Sequence, residues 1–443
     1  SNTAIEEFLR FDSPLHLLVS VSKIDLAKTR PFAVMFASFP TDLQVAGTAN
    51  GDVAVDSEKS VYTVKTDNTK IDQFRLQSPE KKPFAQDQVT LHADVQLNTQ
   101  EKTYTINQLE LVSPQIKVKF EPTSLQTTEG RTTLAGRADL EYDWDAVSNL
   151  ASNVLPQDLQ LKGKRKTSVG FRSTWPRDDK SKLLSNLNTD KCRVGFESAR
   201  YMGLDFGPTD ANAVVENGEL TIEPFTTTVN QGRVEFGAVA DFKNDPTVLK
   251  APGKISMDGV HINETVSNQL LAYINPIFAD SVNVSGRASF AAQQLSIPLN
   301  ASAKEMMDID ASIAIDDLHL QPSGLLGQIF KLMGNDDPRT TLKVNPTRFT
   351  VKDGMVRYQD MQIDVGNNPV NFQGAVGLVN KQLDMEVTLP YTLGGRTIRI
   401  GKQPKTRRVS LNLKGTIDQP QLDTQDLLQN QIEGLIEGLF DKL

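Results

Sequence analysis

Residues 89 to 97 alternate without a break, with Val89, Leu91, Ala93, Val95 and Leu97 on one side and Thr90, His92, Asp94 and Gln96 on the other. A period of two sends successive side chains to opposite faces of an extended chain, so this stretch predicts a strand with one face buried. The same period returns at Ile116, Val118 and Phe120, and at Leu134, Gly136, Ala138, Leu140 and Tyr142. It returns again at Val234, Phe236, Ala238, Ala240 and Phe242, and at Leu383, Met385, Val387 and Leu389. The opposite face carries Lys, Arg, Asp, Glu and Thr, as in antiparallel sheets with one side in water. Asn217-Gly218 and Asp353-Gly354 stand between alternating runs. They supply the positive φ angles of tight hairpins, so consecutive strands are expected to pair.

Six strands contain an interior glycine: Gly47, Gly136, Gly237, Gly286, Gly374 and Gly415. Glycine weakens a strand unless a bend or a close approach is wanted, so the recurrence predicts a sheet that curves at regular intervals. Helical spacing is confined to four stretches, namely Trp144 to Leu155, Val266 to Ile277, Leu325 to Met333, and Leu427 to Leu443 with Asp423 as its N-cap. The expected class is mainly β: elongated, curved antiparallel sheets of a repeating β-groove type with a few short amphipathic helices. At 443 residues the chain exceeds the size of a single core. The expected division is a β-rich repeat segment over 1–160, an irregular connector or edge region over 161–210, and a second β-rich segment over 211–443 ending in a capping helix.

A net charge of −8 with both signs scattered along the chain argues against nucleic acid as a partner. The single cysteine, Cys192, excludes an intramolecular disulfide and any multi-cysteine metal site. Its neighbours Lys191 and Arg193 favour a reactive thiolate, while the lack of a nearby histidine favours an inert thiol. The four histidines, His16, His92, His261 and His319, are too far apart for zinc spacing. Nucleophile-elbow, Walker A, zinc-protease and EF-hand patterns are missing. Asp308 and Asp310, and Asp316 and Asp317, read as a solvated strand face. These observations predict a non-enzymatic protein with no catalytic residues, no metal and no cofactor.

No apolar run reaches the roughly 20 residues that span a bilayer. Ser1-Asn2-Thr3 lacks an initiator Met and a signal sequence, so the chain is expected to be a fragment of a longer protein. Two basic clusters, Lys162, Lys164, Arg165 and Lys166, and Lys402, Lys405, Arg407 and Arg408, read either as solvated hairpin tips or as contacts to anionic headgroups.

The run TINQLELVSPQIKVKFEP followed by TTLAGRADLEYDWDAVSNLASNVLP resembles the repeat of AsmA-like envelope proteins, in which paired strands lead through a glycine strand into a short helix. TRFTVKDGMVRYQDMQIDVGNNPVNFQGAVGLVNKQLDMEVTLPY and LNLKGTIDQPQLD before the last helix continue the likeness, which covers residues 85–155 and 213–443. The resemblance implies a periplasmic protein, anchored in the inner membrane by a helix outside this chain, whose sheets curl into a groove linked to phospholipid movement. The expected function is therefore a lipid-binding or lipid-transport module of the bacterial envelope, with phospholipid or another acyl lipid as partner. The alternative is a structural or scaffolding envelope protein with closed β-sandwich cores that binds protein partners.

Expected lipid-contact positions are Ile116, Val118, Phe120, Leu134, Leu140, Val234, Phe236, Phe242, Met385 and Val387. The last helix is expected to cap the groove, with Ile432, Leu435, Ile436 and Leu439 facing inward. For each alternating strand, lipid contact and core packing remain open alternatives.

Overall fold

The computed structural model describes residues 14–28, 44–77, 83–150, 158–251, 253, 255–279, 282–299, 301–321, 323–335, 340–391 and 407–424. Among these, strand accounts for 68% and helix for 11%, and the large sheets are antiparallel, as the alternation predicts. The chain forms two compact units and passes between them more than once. The first draws on Ser1–Ala199, Pro208–Glu223 and Ala238–Thr247, and the second on Arg200–Gly207, Pro224–Gly237 and Val248–Leu443.

In the first unit the strands are β1 (Leu15–Asp25), β2 (Gln44–Glu58), β3 (Val61–Gln77), β4 (Phe84–Asn98), β5 (Thr103–Val112), β6 (Ile116–Phe120), β7 (Thr123–Thr128) and β8 (Arg131–Asp143). After the helix α1 (Trp144–Leu150) come β9 (Gln160–Lys162), β10 (Lys164–Pro176), β11 (Asn188–Thr189) and β12 (Cys192–Phe196). Residues 161–210, expected as an irregular connector or edge region, thus hold the 13-residue β10, paired along its whole length with β8.

The sheet runs β1-β2-β3-β4-β5-β6-β8-β10-β11, and β7 takes over from β6 between β5 and β8. The handover falls at Pro122, which has no N–H to give to a ladder. Gly136 lies opposite this break. A Cβ there would stand 2.1 Å from the Thr123 hydroxyl oxygen, so the glycine serves close approach. At Gly47 the register slips between Ala46 and Thr48 and φ is 140°, so that glycine marks a bulge. Two glycines of one recurring pattern therefore answer to two different local demands.

The strands β13 (Ser198–Tyr201), β14 (Leu204–Phe206), β15 (Thr209–Glu216), β16 (Glu219–Val229), β17 (Gly232–Asp241) and β18 (Val248–Lys250) follow. The second unit then runs as a meander through β19 (Ile255–His261), β20 (Ser285–Pro298), β21 (Asp308–His319), β22 (Leu342–Lys352), β23 (Met355–Val365), β24 (Asn368–Gly377), β25 (Leu383–Tyr391), β26 (Arg407–Thr416) and β27 (Gln419–Leu422). Asn217-Gly218 and Asp353-Gly354 turn β15 into β16 and β22 into β23 with both residues at positive φ.

The helix α2 (Gly324–Met333) buries Leu325, Leu326, Ile329, Phe330 and Met333, and left-handed Gly334 ends it. The stripe from Val266 to Ile277 is broken rather than continuous: a short α turn, a π turn over Ser267–Leu271, another α turn and a 3-10 turn over Pro276–Phe278. Asn275 causes the last break. It is extended and wholly buried, its side-chain oxygen accepts from the Ile277 N–H at 3.1 Å, and its amide nitrogen donates to the Tyr358 hydroxyl at 3.2 Å. The expected groove-capping helix with Ile432, Leu435, Ile436 and Leu439 lies outside the described residues.

Candidate functional site

Antiparallel partners directly opposite each other share a face, so the registers can be followed across the first unit's sheet. One rung runs Val19, Val53, Thr66, Ala93, Leu109, Phe120, Ala138, Val169 across eight strands. A second runs Leu17, Val55, Val64, Val95, Ile106, and a third Leu91, Leu111, Val118, Leu140. A fourth runs Tyr62, Leu97, Tyr104, Leu125, Leu134. The sequence alternation of single strands has become one continuous apolar face.

That face is half-buried over most of its extent, and Leu17, Val19, Val64 and Tyr104 are 46%, 40%, 40% and 47% exposed. Its tightly packed cluster is small: Ala49, Ile71 and Val89, with Val21, Leu26, Phe74 and Leu111 against them. Phe120 and Phe171 meet edge to face at 6.4 Å across β8, where the intervening partners are Gly136 and Ala138. Small residues on the middle strand let the two rings touch.

The opposite face is charged and paired within itself. Glu110, Lys119 and Asp139 form one rung and Lys117, Glu141 and Lys166 another, with alternating sign. Lys117 lies 2.7 Å from Glu110, Lys166 lies 2.8 Å from Glu141, and Lys65 lies 3.2 Å from Asp94. The hydrogen bond from Lys117 holds the Glu110 carboxyl below its ordinary range and the Lys117 ammonium above its own. Such partly solvated pairs fix register more than they add stability.

The second unit repeats the ladder but covers it. Met361, Phe372, Val387 and Leu411 form a rung whose members are at most 2% exposed. The helix α2 packs on β25 and β27, and the segment Glu264–Phe278 joins the same core. Burial pushes the Tyr358 hydroxyl pKa far upward, and Asn275 supplies its partner.

The expected contact positions therefore fall in different environments. Ile116, Val118, Phe120, Leu134 and Leu140 lie together, half-buried, on the first unit's apolar face. Phe242 is half-buried elsewhere in that unit. Val234, Met385 and Val387 are 3%, 4% and 0% exposed in the second unit's core, while Phe236 is half-buried against Phe225 at 5.9 Å. Positions on the first unit's face that were not singled out include Val64, Tyr62, Tyr104 and Leu109. Their individual strands showed less regular alternation, and only register brings them into line.

At the rim of that face the rung Ile116, Tyr142 ends in Arg165. Tyr142 stands edge to face with Trp144 at 5.2 Å, and the Trp144 indole N–H donates to the Gly195 carbonyl at 2.6 Å. The strand β12 packs against β10, and Cys192 and Arg165 act electrostatically on the Tyr142 hydroxyl, which burial pushes upward. Burial also raises the Cys192 thiol, the reverse of what a reactive thiolate needs. Arg165 was legible as a face residue only by extending the phase of Phe171, Val169 and Thr167 backward into the basic cluster. Of the second basic cluster, Arg408 lies on β26, exposed, while Lys402 and Lys405 are outside the described residues.

The histidines serve local contacts: His16 pairs with Asp56, the His92 ring accepts from the Asn68 N–H, and the His319 ring lies 3.0 Å from the Asp317 carbonyl. Among the described residues no three His, Cys, Asp or Glu side chains are grouped to hold a metal ion, and no helix is long and apolar enough to cross a membrane. On the charged side of β22–β26 an open hollow of about 880 Å³ is lined by Arg348, Arg357, Asp360, Gln373, Asp384 and Glu386. Its polar groups are largely spoken for: Arg348 bonds Asp310, Asn371 donates to Asp360, and Gln373 donates to Glu386. No family model matches the chain, and neither does any curated protein or solved structure.

Proposed function

We propose that the chain is a non-enzymatic lipid-binding or lipid-conducting module of the bacterial envelope, of the AsmA-like type, and that it works in the periplasm. The observation that carries this reading is the eight-strand apolar face of the first unit, left half-open while its reverse is charged and self-paired. A broad apolar face that is left only half-buried marks an interaction surface. Acyl chains suit it, because they need no directional partner and each buried CH₂ contributes about 0.8 kcal/mol. Headgroups would remain at the rim, in water. Phospholipid is the proposed cargo.

The second reading is a structural envelope protein with closed cores that binds protein partners, and the covered ladder of the second unit favours it. Native mass spectrometry of protein purified from cells, followed by lipid extraction, separates the two. Phospholipid in stoichiometric amount is the expected result, and protein that arrives free of lipid and takes up none on addition would overturn the proposal. Fractionation of cells producing the protein checks the compartment.

A further inference from the structure

Resting on the lipid-binding reading above, we infer that Arg165 receives the acidic head, a phosphate or carboxylate, of an amphiphile lying on the first unit's apolar face. Its place in the fold supplies the first reason. Arg165 is opposite Tyr142, which is opposite Ile116, so its side chain shares the apolar face at the last rung, where 19% of it is exposed. Farther along the same strand, Val169 and Phe171 continue the apolar face inward.

The second reason is unspent bonding capacity. A guanidinium carries five N–H donors in a planar fork that fits phosphate and carboxylate oxygens two at a time. In Arg165 one terminal nitrogen donates to the Lys164 carbonyl at 3.1 Å, while the Nε is buried and has no hydrogen-bond partner. The nearest carboxylate oxygens stand too far for a hydrogen bond, Asp210 at 3.7 Å and Glu197 at 3.9 Å. Both acids are largely in water, at 64% and 61% exposed.

Local charge is compatible with an anion. Glu141 is committed to Lys166 at 2.8 Å, which leaves Lys162, Lys164 and Arg165 against Asp143, Glu197 and Asp210, three charges of each sign with no excess of negative charge to repel an anion. Tyr142 and Trp144 flank the position, and such rings suit a boundary between an apolar strip and water. An amphiphile with its tail on the inner rungs brings its head here.

The test is titration calorimetry of the full chain with dodecyl phosphate, dodecyl maltoside and inorganic phosphate, each amphiphile below its micelle concentration. The wild-type protein should bind dodecyl phosphate about tenfold more tightly than dodecyl maltoside, the factor that one charge-assisted hydrogen bond supplies. Arg165→Gln should bring that ratio close to one with the far-UV spectrum and melting temperature retained, and Arg165→Lys should keep part of it. Inorganic phosphate alone should bind far more weakly. A wild-type ratio near one overturns the proposal whether or not the variants fold, as does an unchanged ratio in Arg165→Gln or phosphate binding as tight as dodecyl phosphate. Equal binding of the two amphiphiles removes Arg165 while leaving the lipid reading intact, whereas binding of neither removes both.

Discussion

At the scale of single residues, sterics and desolvation set the outcome. A side chain at Gly136 would meet the buried Thr123, with atoms at 2.1 and 2.7 Å, at a strand handover with no slack. Gly136→Val should therefore destabilise the first unit by about 1–3 kcal/mol, read as a lower urea midpoint. Cys192 should react slowly with iodoacetamide at neutral pH, because burial raises its pKa and starves the thiolate. Alkylation as fast as that of a free thiol would contradict that environment.

Glu110 gives a pH dependence whose sign is fixed by its lowered pKa. The folded form holds the proton less tightly than the unfolded chain, so the contribution is present above the ordinary value of 4.5 and is lost as pH falls through the lower folded value. Lys117→Met should flatten the acid limb of the stability curve without changing stability near neutrality by more than a few tenths of a kcal/mol.

At the scale of elements, one pattern yields two outcomes. Val118 and Val387 both sit on apolar strand faces and looked equivalent in the sequence, yet one is half-buried and the other has no exposed surface. Val387→Asp places a charge in a closed core and should cost more than about 4 kcal/mol, enough to unfold the second unit. Val118→Asp should leave the fold and reduce copurified lipid, measured by extraction; unfolding of both variants alike would mean that the first face is as closed as the second. The broken helical segment is held by Asn275, so Tyr358→Phe should cost about 1–3 kcal/mol by leaving a buried amide short of a partner.

At the scale of the whole molecule, the two units differ in how much apolar surface each packs. Among the described residues the second unit has one extensive core, and the first has a small central cluster beside its half-buried face. Calorimetry should then resolve two transitions, and a bound amphiphile should raise the one belonging to the first unit, since a ligand stabilises the unit that holds it. A single transition unmoved by dodecyl phosphate would speak against the open face as the binding surface.

What the sequence determined by itself is what a period of two and turn chemistry encode locally. Val89 to Leu97 declared a strand and its inner face, Asn217-Gly218 and Asp353-Gly354 declared hairpins, and Leu325 to Met333 declared a helix. The π turn and the break at Asn275 were not legible, because a buried asparagine becomes tolerable only when Tyr358, 83 residues later in the chain, arrives beside it. Nor was the alignment of Val19, Phe120 and Val169 in one rung, since register between strands is set by pairing over long separations. Alternation tells a residue which way to face, but whether α2 covers that face or water reaches it is a property of the assembled chain, and this is what separates Val387 from Val118 and gives Arg165 its place at the rim.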